Sequence, residues 1–583
     1  MGMSAVLHFC RMVRSIVLPL LFAFALGASA QWRFEGNTTP TWEQTMERFQ
    51  EFATTRSGVH LMEIGTDDDG SPIHLFVLSD GSGFTPDSIR AAGKNILWIT
   101  NAIHAGEPDG VDASLLLTQA LLDSDQYMGL LARTAVCIVP MYNVSGARQR
   151  SSNSRANQNG PAEYGFRANA RNLDLNRDFI KADASNTRTL LRALTAWDPD
   201  VYFETHVTNG ADHQYVMELL MTHPDKVDDA MSTYMRNVLT PRLHAWMKAR
   251  KIPMGPYFET VKHTPEEGLT GFMDGPRYST GYNALRGRVA LISEAHMLKP
   301  YADRVNATFQ LMLGTLAAMN EHPQELRDAI AKARSNAATE QRYATNWKLD
   351  TAASKPVEWL GYEAKCTKSA VTGLDRLYYD QDRPTKVNVP WFDQGVSTLQ
   401  IEKPKAYLIP QAWHEVIERL ALDKVPMERL VRSRTFDAEV QRIKDFETTS
   451  GPYEGHYLHH GVSTTVEREE VTGRPGDVLV PMGHPTDQLV MEILEPRCAD
   501  SYFAWGFFDT MLQQKEWFSD YVFEDIAADL LVKDAALKAA FEAKRNADPA
   551  FAKDDWAQLY FVYQRSPYFE PNYRRYPVVR ITK

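Results

Sequence analysis

The chain has 583 residues, 44% hydrophobic and 23% charged, a globular composition that is too long for one typical domain. A formal net charge of −11 and a pI near 5.9 exclude the basic face that nucleic-acid binding requires. No repeat, low-complexity tract or C-x-x-C pair is present, so neither a disordered or repeat protein nor a cysteine-based metal or redox site is expected.

At the start of the chain, Arg11 and Arg14 precede an apolar run, 16–26, and Ala28-Ser29-Ala30 then supplies a small-x-small cleavage pattern before Gln31. The run is shorter than the roughly 20 residues of a spanning helix. A signal peptide over 1–30 is therefore expected, with export to the periplasm or the extracellular space and no membrane span afterwards. The mature chain would keep Cys137, inside an apolar strand, together with Cys366 and Cys498, the candidates for one disulfide in an exported protein.

From 41 to 325, short apolar runs alternate with longer amphipathic ones. Strands are predicted at 73–78, 96–100, 135–139, 201–203 and 289–292, and helices at 111–122, 187–197, 226–248 and 301–320. Several strands are apolar throughout, as in strands covered on both faces. The pattern predicts an α/β domain: three layers around a mostly parallel, mixed sheet, with ligands gathering beyond the carboxyl ends of the strands. A polar, alanine-rich stretch, 326–350, reads as a helical linker. The remainder, 351–583, reads as a mixed, β-rich accessory region with strands near 405–410 and 477–481 and helices at 412–422 and 534–545. Its histidines His456, His459 and His460 are expected to be exposed loop residues.

The tetrapeptide pattern H-x-x-E occurs at His60/Glu63, His104/Glu107, His263/Glu266 and His322/Glu325. Only His104 directly follows a buried strand and precedes a helix, where an imidazole and a carboxylate one turn apart can face the same ion. A third ligand is expected from another strand end, and His206 closes the run Val201-Tyr202-Phe203-Glu204-Thr205-His206. The resulting His2Glu set leaves zinc's fourth position open, as in catalytic sites. His296 is read as a polar neighbour of this set.

Between the ligand pair and His206 lies Arg171-Asn172-Leu173-Asp174-Leu175-Asn176-Arg177-Asp178-Phe179. With that segment in its place, residues 41–325 resemble the carboxypeptidase A-like zinc metallocarboxypeptidases. The order in that family is a strand ending in H-x-x-E, a D-L-N-R-N-F type segment, a strand ending in His, and a catalytic Glu. The resemblance implies the zinc-carboxypeptidase type of fold and one Zn2+ per chain, held by His104, Glu107 and His206, with Glu294 as general base. It further implies that Arg167 polarises the scissile carbonyl, with Arg171 as its rival, and that Asn176 and Arg177 hold the substrate's terminal carboxylate. Asp174 would orient the first histidine. A substrate-binding tyrosine belongs on the loop before Glu294, where Tyr278 and Tyr282 are the candidates and Tyr282 is taken. One departure is Asp178, where the family commonly has Asn; a carboxylate there is expected to weaken the grip of Arg177 on a free C-terminus or to favour an amine-bearing group. The loop after His206, Val-Thr-Asn-Gly, also differs from the family's Ser-Tyr type.

The implied function is an exported zinc peptidase that cleaves near a substrate C-terminus, with a peptide as its partner. The alternatives are a related zinc amidohydrolase or deacylase acting on N-acyl amino acids or cell-wall peptides, and a non-catalytic zinc- or peptide-binding protein.

Overall fold

The computed structural model describes residues 34–583; the expected leader, 1–30, lies outside the described residues. The dominant element is an eight-stranded mixed sheet built from β1 (Val59–Thr66), β2 (Pro72–Leu78), β3 (Asn95–Thr100), β4 (Thr134–Val139), β5 (Val201–Thr208), β6 (Met217–Met221), β7 (Met254–Pro256) and β8 (Val289–His296). The spatial order is β1-β2-β4-β3-β5-β8-β6-β7. The central strands β4, β3, β5 and β8 run parallel, and antiparallel strands flank them. These central strands are the apolar runs of the sequence, and every residue of β3, β4, β5 and β8 is buried.

Alternation along β5 divides its side chains between the two faces of the sheet. Tyr202 shares a cluster with Trp98, Ala135, Cys137 and the apolar stripe Leu190, Leu191, Leu194 and Trp197 of helix Ser185–Trp197. Thr205 points the other way, toward helix Asp109–Asp123. There Gly110 comes so close that a Cβ would lie 2.1 Å from Thr205 Oγ1, so only glycine admits this packing. Helix Tyr301–Glu321 packs on helix Asp109–Asp123 and on β8.

The polar stretch at 326–350 is helical only to Thr339; from Arg342 to Leu349 it pairs as a strand with Gly395–Glu402. The alternation Tyr343, Thr345, with both side chains buried, competes successfully with the local helical propensity. Beyond it lie further sheets, including two long hairpins, Lys355–Lys368/Asp375–Phe392 and Arg434–Thr448/His459–Gly473. Three helices, Asp520–Lys533, Ala535–Ala547 and Asp555–Tyr563, follow near the end. Glu35–Lys583 forms one compact unit, and its largest core cluster joins Tyr282 and Leu285 to Leu420, Val425 and Trp505 of the later region. Cys137, Cys366 and Cys498 are all free, so the candidate disulfide is not formed. Among the described residues, no helix is long and apolar enough to cross a membrane.

A buried ion pair fastens the segment behind the carboxyl edge of the sheet. Arg304, fully buried, donates to Asp109 Oδ1 at 2.7 Å and to the carbonyls of Asn159, Gly160, Met297 and Lys299. Replacing it by Met would strand the Asp109 carboxylate and leave four carbonyls without that donor. Arg304→Met is therefore expected to lower unfolding free energy by about 3–5 kcal/mol, read as a fall in the denaturant midpoint; an unchanged midpoint would refute this role.

Candidate metal centre and active site

The parallel register of β3, β5 and β8 brings their carboxyl ends to one edge. His206 on β5 lies directly opposite Glu294 on β8, so both side chains leave the same face. Beyond β3 the chain turns through Ala102, in left-handed conformation with φ 54°, and Glu107 N–H closes a turn on His104 O before helix Asp109–Asp123 begins. His104 Nδ1, Glu107 Oε2 and His206 Nδ1 consequently converge. The two ring nitrogens are 3.1 Å apart, and they lie 3.3 and 3.2 Å from the carboxylate oxygen. Zinc bonds of 2.0–2.1 Å in a tetrahedral shell imply ligand separations of about 3.3 Å. The donor set fits the metal. The remaining copies of the motif have no such setting; His322 and Glu325, for instance, form an exposed pair 2.9 Å apart.

Each ligand is held from behind. His104 Nε2 meets Asp174 Oδ1 at 2.9 Å, and His206 Nε2 meets Glu204 Oε2 at 2.8 Å. Such partners fix the ring orientation and leave Nδ1 as the inward donor. Glu204 is secured in turn by Tyr202 Oη at 2.6 Å and Ser279 Oγ at 2.7 Å. The second oxygen of Glu107 accepts from Arg155 at 2.7 Å, while Oε2 also takes the Val207 N–H at 2.9 Å. Burial raises the Glu107 carboxyl, yet Arg155 and His104 hold it well below the usual range. Asp174 is likewise pushed up by burial but held far down by His104, Arg167 and Arg177. The pKa of His206 rises to about 10 against the cost of burial, because Glu107 and Glu204 both face it. Paired carboxylates around two imidazoles create a demand for positive charge between the rings.

Glu294 is 9% exposed, and burial pushes its pKa up to about 7, with His206 and Arg167 opposing and Glu107 and Glu204 reinforcing the shift. Arg167 grips Asp174 Oδ2 through Nε at 3.0 Å and Nη2 at 2.8 Å, and its Nη1 lies 3.5 Å from Glu107 Oε1. The rival, Arg171, donates to Asp183 O instead. Asp174 also caps the short turn Leu175–Arg177, receiving Asn176 N–H at 2.9 Å. The side chain of Asn176 is largely buried; its oxygen takes Ser279 N–H at 3.0 Å, and its amide lies 3.3 Å from His206 Nε2. Arg177 stacks over the Tyr278 ring at 4.5 Å. Tyr278, Phe272 and Tyr257 meet edge to face, forming an aromatic wall.

Three expectations change. Tyr282 is not in the site: it is 1% exposed, packs against Phe179, and its hydroxyl donates to Asp423. It stands one helical turn beyond Tyr278 in helix Ser279–Leu285, on the face that meets the core, so Tyr278 takes the place beside Arg177. Asp178 is fully buried, with Lys181 Nζ at 2.6 Å and the N–H groups of Asp183 and Ala184 on its oxygens, and so presents no carboxylate to a substrate. Of the accessory histidines, His459 is buried at the start of a strand and bonded to Asp509 at 2.8 Å, and His456 is half-buried in the hairpin turn against Asp183 at 2.7 Å, while His460 is exposed on the same strand as His459.

With this geometry in place, the comparisons are decisive for part of the chain. Residues 45–209 match the family model for zinc carboxypeptidase, a span containing all three converging ligands. This part of the chain is a zinc carboxypeptidase domain. The match and the curated relatives support a hydrolase of the zinc metallocarboxypeptidase class. Carboxypeptidase 2 of Trichophyton rubrum is 22% identical over 494 residues, covering 81% of this chain and 85% of that protein. Carboxypeptidase 2 of Trichophyton equinum is 21% identical over 497 residues, with the same two coverages. A solved metallo-carboxypeptidase from Burkholderia cenocepacia superposes with a TM-score of 0.36 at 17% identity, over 48% of this chain and 69% of that one.

The later region also reaches the zinc carboxypeptidase site. The hairpin Arg434–Thr448/His459–Gly473 ends in Tyr453-Glu454-Gly455-His456, closed by two hydrogen bonds between Tyr453 and His456. Glu454 and Gly455 both have positive φ, 48° and 82°, as a two-residue hairpin turn of the primed type demands. Glu454 Oε2 accepts Asp174 N–H at 2.8 Å. The turn thus steadies the residue that steadies His104. Glu454→Ala is expected to lower kcat/KM by about 10-fold, within the range for outer partners of metal ligands, and Glu454→Gln, which keeps an acceptor oxygen, to restore most of it. Equal activity of Glu454→Ala and wild type would contradict the contact's importance.

Proposed function

We infer that the chain is an exported carboxypeptidase that removes residues from the free C-terminus of peptides, with Glu294 as general base. The observation that carries this reading is the convergence of His104, Glu107 and His206 beside a buried, paired Glu294. His104, Glu107 and His206 would hold a zinc ion, which would supply Lewis-acid polarisation of the scissile carbonyl and acidify water at the site. Glu294, whose pKa is lifted toward neutrality, accepts a proton from the attacking water and delivers it to the departing amine nitrogen. Arg167 aims Nη1, the nitrogen not occupied by Asp174, at the oxygen on which charge develops. The guanidinium of Arg177, beside Asn176 and braced on Tyr278, matches a substrate carboxylate.

The competing deacylase reading drew its support from Asp178. With that carboxylate buried on Lys181, Asp178 no longer argues against a free C-terminus at Arg177. Export rests on the Arg11/Arg14, apolar and Ala28-Ser29-Ala30 pattern, and the formal net charge of −11 is consistent with a peptide partner rather than nucleic acid.

Glu294→Gln removes the proton acceptor while leaving all three metal ligands. It is expected to keep zinc and to lower kcat by about 10²–10⁴-fold, measured on peptide substrate beside metal analysis. Wild-type kcat in a zinc-replete Glu294→Gln protein would overturn the role.

A further inference from the structure

Among the described residues, two groups of His, Cys, Asp and Glu bring ligand-capable atoms within 4.8 Å of one another: His104/Glu107/His206, and His213/Glu218/His296. The second group is set by the same sheet. Glu218 lies on β6 opposite Glu294, His296 ends β8, and His213 bridges to Gly361 of the hairpin Lys355–Lys368/Asp375–Phe392. None of the three is more than 1% exposed.

The two rings are arranged much as in the first group. The rings of His213 and His296 have centroids 4.3 Å apart at 65°, against 4.8 Å and 72° for His104 and His206. Glu218 Oε1 is 2.6 Å from His213 Nε2. His296 Nε2 donates to Ala211 O at 3.1 Å, the outer bond that a ligating histidine makes, so its lone pair is on Nδ1, approached only distantly, at 3.4 Å, by Leu298 N–H. Two buried polar atoms of the group, His213 Nδ1 and Glu218 Oε2, have no partner. Tyr215, Phe258 and Trp359 pack around His213, a largely aromatic enclosure. Orphaned polar atoms in an apolar enclosure are costly. Burial also lowers both imidazole pKa values, keeping them in the neutral form that ligates, and raises that of Glu218. The nearby cation Lys299 is already paired with Asp212 and the carbonyl of His213.

We propose that His213, Glu218 and His296 form a second, non-catalytic zinc site that ties β6, the end of β8 and the hairpin Lys355–Lys368/Asp375–Phe392 together. Two imidazoles and one carboxylate form a donor set that zinc accepts. The site is independent of the hydrolytic reading, since none of its ligands belongs to the first group. Its role is to fix the strand that carries Glu294 from the side opposite His206.

The test is zinc stoichiometry on the full chain, stripped with chelator, re-saturated with zinc, desalted and analysed by mass spectrometry of the metal. Wild type is expected to hold about two zinc ions per chain, given three protein donors at each group. His104→Ala/His206→Ala is expected to retain about one, and adding Glu218→Gln in that background to abolish it, with circular dichroism confirming the fold of each variant. A folded His104→Ala/His206→Ala protein that binds none would overturn the second site. Where that variant fails to fold, Glu218→Gln alone is expected to hold about one zinc ion fewer than wild type, and an unchanged count would overturn the site as well.

Discussion

The site depends on one constraint, the parallel registration of β3, β5 and β8. Because β5 and β8 pair with His206 opposite Glu294, the proposed metal ligand and the proposed proton acceptor stand side by side without any loop having to place them. Because β3 pairs with β5 on the other side, the turn after β3 delivers His104 and Glu107 to the same edge. A shift of one residue in either pairing would turn His206 or Glu294 to the opposite face of the sheet. Close packing of Gly110 against Thr205 protects that register from the side of helix Asp109–Asp123.

Charge gives the edge its chemistry. Glu107, Asp174, Glu204 and Glu294 crowd around two histidines, and a buried carboxylate persists only with a partner. Arg155 and Arg167 neutralise the outer side of this cluster, and two imidazoles with a bound cation would neutralise the inner side. The division separates the carboxylates: Glu107 and Asp174 are held low by cationic partners, whereas Glu294, with no arginine bonded to it directly, is pushed up to about 7, which suits the proton-carrying role proposed for it. Pushing neighbouring carboxylates apart in pKa is how one site keeps both a metal ligand and a base.

The central strands and the ligand set were legible because each reports itself locally: an apolar run marks a covered strand, and a His or Glu at its end marks the edge where ligands gather. Glu204 was legible in principle, as a carboxylate two residues from His206 and therefore on the same face of an otherwise apolar strand. Tyr282 was misread because a loop reading cannot distinguish residues one turn apart on a seven-residue helix whose face is chosen by the core. Asp178 was misread because adjacency in sequence to Arg177 says nothing about direction, and its carboxylate closes a turn with Lys181. Glu454 carried no local signal at all: it meets Asp174 from 280 positions away, at the tip of a hairpin whose length no short motif discloses. The burial of His459 and the covering of His456 were hidden for the same reason, since Asp509 and Asp183 become their partners only in the folded chain.

The central claim, that Arg177 and the zinc centre together act on a free C-terminus, is tested most directly by one pair of peptides identical except for a free or an amidated terminal carboxyl group. Zinc-replete protein is expected to release the terminal residue of the free peptide, with kcat/KM for the amidated peptide lower by at least about 10²-fold, the cost of leaving a buried-edge guanidinium without its anion at roughly 3 kcal/mol. Equal rates on the two peptides, or cleavage only at internal bonds, would contradict the account.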